Sequence, residues 1–172
     1  MSDEEIAKRT AATIKMANVT GESAQDISSY MTAIWNNFDN GSKSLEYYAD
    51  VIAKLGAETA SSSEEIATGM QKFASVAETV GLSYEYAASA LATVVAATRQ
   101  SEDTVGTSFK TIFARLSSLS LGETLDDDTT LTKYSQALAK VGINIKESNG
   151  EIKKMDNILD ELGAKWNNIN KE

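Results

Sequence analysis

Proline is absent from all 172 positions of this sequence. A proline inside a helix removes a backbone hydrogen-bond donor and clashes with the preceding turn, so a chain without proline can form long uninterrupted helices. Cysteine and histidine are absent too. Disulfides, the common zinc sites, a histidine general base and a cysteine nucleophile are therefore excluded. The chain is predicted to be helical and not to be an enzyme.

The composition is that of a globular protein rather than a disordered one. Hydrophobic residues make up 42% of the chain and charged residues 24%, and 172 residues suffice to bury one core. The net charge is −9, from 25 acidic and 16 basic residues. Binding to phosphates relies on clustered lysine and arginine, and here these residues are scattered and outnumbered. Direct binding to nucleic acid is therefore not expected.

Serine and glycine mark the beginnings and ends of the apolar-periodic segments. Serine favours helix starts because its hydroxyl accepts a hydrogen bond from a free N–H of the first turn, and glycine readily adopts the left-handed conformation that ends a helix. The marking serines are Ser2, Ser23, Ser62, Ser63, Ser83 and Ser101. The marking glycines are Gly21, Gly41, Gly56, Gly81, Gly122 and Gly142. Ser2 with Glu5 and Ser62 with Glu65 also have the spacing of a capping box.

Between these marks the apolar residues recur every three or four positions, as in Ile66, Met70 and Phe73. This spacing predicts an all-α fold, an antiparallel array of about seven or eight helices. The predicted helices lie near 3–18, 24–38, 42–55, 63–80, 84–99, 102–119, 130–141 and 156–169. The small and apolar run 87–97 is too short for a membrane span, which needs ~20 residues, and is predicted to be a buried helix.

One segment departs from the helical pattern. Apolar residues alternate with polar ones in 143–146, and Asn149-Gly150 follows as a turn signal. A second short strand would then run back along the first over 151–153. This pattern predicts one small β-hairpin near 143–153. The whole chain, 1–172, is expected to form a single module. Within it, a helical array over 1–120 would precede a helix–hairpin–helix segment over 121–172.

No catalytic, cofactor-binding or metal-binding residue is predicted. The run Asp126-Asp127-Asp128 is the best candidate for a metal site, but it lacks the glycine and glutamate that an EF-hand loop requires, and a solvated loop is favoured. The segment 107–110 has the spacing of an S-x-x-K nucleophile motif with threonine in place of serine, and is interpreted as helix surface. Asp160-Glu161 is interpreted as an acidic pair on a helix that is either solvated or faces the helix dipole.

Two glycines and two tryptophans call for a structural explanation. Gly69 and Gly106 lie inside helical segments, where glycine costs about 1 kcal/mol relative to alanine. Close approach of two helices is the favoured explanation, and a hinge is the alternative. Trp35 and Trp166 are predicted to be core or interface anchors, and a buried indole N–H would need a hydrogen-bond acceptor.

From roughly Thr20 to Trp166, about five-sixths of its length, the chain resembles the core region of phage tail tape-measure proteins. The resemblance is carried by ISSYMTAIWNNF (27–38), SLEYYADVIAKLGAETASSSEEIATGMQKFASVAETVGLSYEYAASALATVVAAT (44–98), TSFKTIFARLSSL (107–119) and LTKYSQALAKVGINIKESNGEIKKMDNILDELGAKW (131–166). The matching segments are packing patterns, so no functional residue carries over from the family.

The resemblance implies a structural module that takes part in tail assembly, tail length determination and genome ejection. The implied partners are phage tail-tube, tail-tip and tail assembly chaperone proteins, together with self-association. The implied location is the lumen of the virion tail, with the bacterial host cytoplasm during assembly. Even as one continuous helix the chain would extend only about 260 Å. It is therefore expected to be a fragment of a longer protein, encoded by a phage or a prophage.

Two other functions are compatible with the residues. The run 87–97 and the interior glycines would suit a membrane-active or pore-forming helical protein. The acidic, helical character would suit an adaptor that binds partner proteins through a helix in a groove. No cofactor is expected in any of these cases.

Overall fold

A computed structural model describes residues 2–120, 131–149, 151 and 153–169. The described residues form eight α-helices, which confirms the all-α prediction. They are α1 (Asp3–Thr20), α2 (Ala24–Phe38), α3 (Leu45–Glu58), α4 (Ser63–Thr79), α5 (Tyr84–Thr98), α6 (Glu102–Ser120), α7 (Leu131–Lys140) and α8 (Met155–Ile169). The marking serines predict most of these helix starts correctly, because an N-cap depends on residues only a few positions apart in the sequence.

The capping box before α4 forms as predicted. The backbone N–H of Glu65 donates to Ser62 Oγ at 3.1 Å, and the Glu65 carboxylate accepts in return from the backbone N–H of Ser62 at 2.6 Å. The start of α3 was predicted three residues too early. Asn40 Oδ1 accepts hydrogen bonds from both the backbone N–H and the hydroxyl of Ser42, which places Ser42 in a turn. The N-cap of α3 is therefore Ser44.

The predicted glycine stops are partly confirmed. Gly21, Gly41, Gly81 and Gly142 have positive φ angles between 75° and 79°, the conformation that favours glycine. Gly56 does not end α3, since that helix continues to Glu58. A Cβ on Gly56 would lie 2.7 Å from the backbone nitrogen of Ser63, so this glycine permits a close approach of the chain instead. Gly122 lies outside the described residues.

The contacts divide the chain into two compact units. The first unit comprises Met1–Glu78 with Ser83–Lys110, and the second comprises Thr79–Leu82 with Thr111–Glu172. In the first unit, α1 packs on α2 and α3, and α3 packs on α2 and α5. Its fully buried side chains include Ile27, Met31, Ile34, Ile52, Ile66, Met70, Phe73 and Leu91. This continuous apolar interior holds the helices together.

The predicted burial of the run 87–97 is confirmed. Within it, α5 buries Ala87, Ala88, Leu91, Ala92 and Val95. The small alanines let neighbouring helices come close, so the apolar character of this segment is explained by packing. Among the helices described here, none combines the length and hydropathy that crossing a membrane requires.

The second unit has its own small core of Ile143, Ile145 and Ile158, against which Leu138, Val141 and Leu162 pack. The β-hairpin predicted near 143–153 was wrong, because the described residues there contain a single β-bridge, at Lys146, and no strand. Two backbone hydrogen bonds close a turn, from Glu147 N–H to Glu151 C=O and from Lys153 N–H to Ile145 C=O. The side chains of Asn144 and Asn149 each accept a backbone N–H two residues ahead. Such side-chain bonds favour turns over an extended ladder.

Candidate interaction surface

Of the large apolar side chains that are exposed in the described part of the chain, most belong to the first helix. Among the described residues, four large apolar side chains are exposed, and three of them belong to α1: Ile6 at 49%, Ile14 at 50% and Val19 at 72%. The fourth is Ile112 of α6, at 47%. Single exposed apolar residues are common, but several on one helix indicate a surface that contacts another molecule or moves.

Ile6 and Ile14 border a groove between α1 and α2, which we call the α1–α2 groove. Ile6, Thr10 and Ile14 recur every four residues and so lie along one side of α1. The facing wall on α2 carries small or uncharged side chains, and Trp35 lies at one end. The groove is lined by Ile6, Arg9, Thr10, Thr13, Ile14, Ala24, Gln25, Ser28, Thr32 and Trp35. Its lining is uncharged apart from Arg9 and mixes apolar with polar side chains.

Arg9 ties α1 to α2 through a largely buried guanidinium. Its Nη1 donates to Asn36 Oδ1 at 2.9 Å, and its Nη2 lies 3.1 Å from the carboxylate of Glu5 on the same helix. The guanidinium carbon stands 5.5 Å from the centre of the Trp35 ring. Its Nε is buried and has no hydrogen-bond partner among the described residues. Arg9 is thus the main polar contact between the two helices, and it is incompletely satisfied.

Val19 lies at a second, smaller depression between α1 and α3. The depression is lined on α1 by Met16 and on α3 by Ala49 and Ala53, with Lys15, Glu46 and Asp50 also contributing. The alanines leave room that a larger side chain would fill. The helix α1 therefore presents incompletely covered apolar surface on both sides.

Trp35 is a core anchor, as predicted. It is only 2% exposed, and its indole N–H donates to the carbonyl oxygen of Leu45 at 3.2 Å. This bond satisfies the buried donor and fixes α2 against the start of α3. Trp166 lies in α8, and its side chain is outside the described part of the chain.

The close approach predicted at the interior glycines is confirmed. A Cβ on Gly106 would lie 2.6 Å from the backbone oxygen of Gly69, and a Cβ on Gly69 would lie 2.6 Å from the side chain of Leu91. Real Cβ atoms essentially never come within 3.0 Å of a non-neighbouring heavy atom, and the backbone oxygen of Gly69 cannot rotate aside. Helices α4 and α6 therefore touch backbone to backbone here, and this contact accounts for the glycines without a hinge.

A cluster of tyrosines joins α3 to the start of α5. The Tyr84 hydroxyl donates to the Tyr48 carbonyl oxygen at 2.5 Å, and the Tyr48 hydroxyl donates to the Phe38 carbonyl oxygen at 2.9 Å. The Tyr47 hydroxyl donates to the carboxylate of Glu85. Burial raises the pKa of Tyr84 well above its ordinary value, so this phenol stays protonated and remains a donor.

The Tyr47–Glu85 pair makes stability depend on pH. Partial burial raises the pKa of the Glu85 carboxyl, but the hydrogen bond from Tyr47, a backbone N–H and the charge of Lys43 outweigh it, so the pKa lies below its ordinary value. A lowered pKa contributes stability above the unfolded value, and this contribution is lost as pH falls through the folded value. Tyr47→Phe is expected to lower the midpoint of urea unfolding at neutral pH, and the difference from the parent chain should shrink below pH 4.5. An equal difference at neutral and acidic pH would show that the carboxylate is not involved.

The remaining sequence candidates that fall on described residues lie apart from one another. Ser108 donates its hydroxyl to the Thr104 carbonyl oxygen at 2.8 Å within α6, as on an ordinary helix surface. Glu161 pairs with Lys153 in the second unit. The run Asp126-Asp127-Asp128 lies outside the described residues. Within the described part of the chain, no three acidic side chains are grouped closely enough to hold a metal ion.

One comparison with known proteins gives a match. A family model described as "phage-related minor tail protein" matches residues 1–172, the full length of the chain. No curated protein and no solved structure matches the chain.

Proposed function

This chain belongs to the phage-related minor tail protein family, and we propose that within this family it is a module of a tail tape-measure protein. Membership supports a structural role in the phage tail. The finer assignment to length determination rests on the resemblance of residues 20–166 to tape-measure cores. The helices of the described residues suit such a role, because a helix converts chain length into physical length in a regular way along its axis.

The proposed mechanism is assembly rather than catalysis. Tail-tube, tail-tip and chaperone proteins would assemble around the parent protein in the host cytoplasm, and the finished virion would hold it in the tail lumen. The family match over the whole chain supports the structural role in the tail, and the resemblance of residues 20–166 supports the assignment to a tape-measure protein. The exposed Ile6 and Ile14 along the α1–α2 groove, and Val19 beyond it, provide apolar surface for such contacts.

An in-frame deletion tests this proposal. In a phage whose tail gene encodes this segment, removing the codons for residues 1–172 is expected to shorten the tails, measured by electron microscopy. A fully helical segment accounts for about 1.5 Å per residue, so the shortening should approach 260 Å if the segment is extended, and be smaller if it stays folded.

A tandem duplication of the same segment is the matched control for general loss of function. It should lengthen the tails by the amount that the deletion shortens them. Tails of unchanged length in both mutants would contradict the length-determining role and leave only the general structural one.

A further inference from the structure

The first helix is held to the rest of its unit by few buried side chains. Of its 18 residues, only Ala12, Thr13 and Met16 are buried, whereas α4 buries seven of 17. Two of the three are small, and the large apolar residues Ile6, Ile14 and Val19 face outward. Since burial of apolar surface is the main force that docks a helix, α1 is docked far more weakly than α4.

The polar contact between α1 and α2 stabilises this docking only in part, because the Arg9 guanidinium is incompletely satisfied. Arg9 donates to Asn36, but its Nε is buried without a partner among the described residues. A buried donor without an acceptor loses its bond to water and gains nothing in return. Releasing α1 would return this N–H to water, so the docked state carries a cost that the released state does not.

Helix α1 also has stabilising interactions that do not depend on its neighbours. Ser2 Oγ accepts the backbone N–H of Glu5 at 3.2 Å, and Gly21 closes the other end with a left-handed cap. Lys8 pairs with Glu4, one helical turn away, at 2.7 Å. All of these contacts are internal to α1 and its caps, so they persist when the helix leaves the surface of α2 and α3.

We propose that α1 is a releasable strap. It covers Trp35 and the adjoining faces of α2 and α3, and it detaches as one unit while α2 to α5 remain folded. Its release uncovers the apolar surface around Trp35, which is 2% exposed in the docked state. Release of α1 depends on burial and hydrogen bonding within the first unit, and not on the family to which the chain belongs.

Hydrogen–deuterium exchange of the full chain tests the strap. Backbone amides in the middle of α1 are expected to exchange at least about 30-fold faster, relative to their intrinsic rates, than those in the middle of α4, because local opening precedes global unfolding. Equal protection of α1 and α4 would overturn the proposal.

A pair of neighbouring substitutions on α2 separates release of α1 from general loosening. Asn36→Ala removes the acceptor of Arg9 and should speed exchange in α1 by about 3–10-fold, while α4 is unchanged. Asn37→Ala is the control, because within the described part of the chain the Asn37 side chain bonds to the Ala33 carbonyl oxygen of its own helix, and it should leave α1 unchanged. Acceleration of α1 and α4 together by Asn36→Ala, or no acceleration of α1, would contradict the strap.

Discussion

Replacing Ile27 with alanine is expected to lower the free energy of unfolding by about 2–5 kcal/mol. Ile27 is 0% exposed and lies on the buried side of α2. Its loss removes apolar area from the core and leaves a cavity that rigid neighbouring helices cannot fill completely. Urea unfolding followed by circular dichroism at 222 nm measures the change directly, because the described fold is helical.

The chain offers a matched control for this substitution. Ile14→Ala removes the same atoms from a side chain that is 50% exposed on α1, and it should change the free energy of unfolding by less than about 1 kcal/mol. Equal losses in the free energy of unfolding at positions 14 and 27 would mean that Ile14 is covered in solution. The face of α1 that carries Ile14 would then not be exposed.

The helices could be predicted from the sequence because their ends are determined locally. The reciprocal bonds of Ser62 and Glu65 involve residues three positions apart, so the sequence contains the whole motif. The end of α5 is different. Arg99 adopts a left-handed conformation with φ of 58° although it is not glycine, and its guanidinium donates to the Ala60 carbonyl oxygen at 3.4 Å. No local sequence pattern predicts that a helix ends at a left-handed residue other than glycine.

The candidate surface was less predictable than the fold. The sequence indicates that Trp35 needs an acceptor, but the acceptor, the Leu45 carbonyl, is determined by how α2 meets α3. Likewise, helical spacing does not reveal which side of α1 faces the core, since Ile6 and Ile14 are as apolar as the buried isoleucines of α2. Burial depends on contacts far apart in the sequence, and periodicity does not encode them.

The false hairpin prediction shows a related limit. Alternating apolar residues around Asn149 satisfy the pattern of a β-hairpin, yet the same Ile143 and Ile145 serve a small helical core with Ile158. The Asn149 side chain then accepts the backbone N–H of Glu151, which a longer ladder would pair with the Glu147 carbonyl. Two short segments gain little from pairing alone, so packing against α8 decides the local structure.

Replacing Gly106 with alanine is expected to destabilise the first unit by about 1–3 kcal/mol. The new Cβ would stand 2.6 Å from the backbone oxygen of Gly69 and 3.1 Å from Cβ of Lys72. A backbone atom cannot rotate away as a flexible side chain can, so α4 and α6 would have to move apart and lose packing. The midpoint of urea unfolding, read from helical circular dichroism, should therefore fall.

Gly163→Ala isolates this steric effect from the helix preference of alanine. Gly163 also lies inside a helix, but a Cβ there would meet no described atom within 4 Å. Alanine should then be neutral or stabilise by up to about 1 kcal/mol, its usual advantage over glycine in a helix. The two substitutions add the same methyl group and should act in opposite directions. If Gly106→Ala raised the midpoint as Gly163→Ala does, α4 and α6 could not be in backbone contact, and a hinge would again be the better explanation for Gly69 and Gly106.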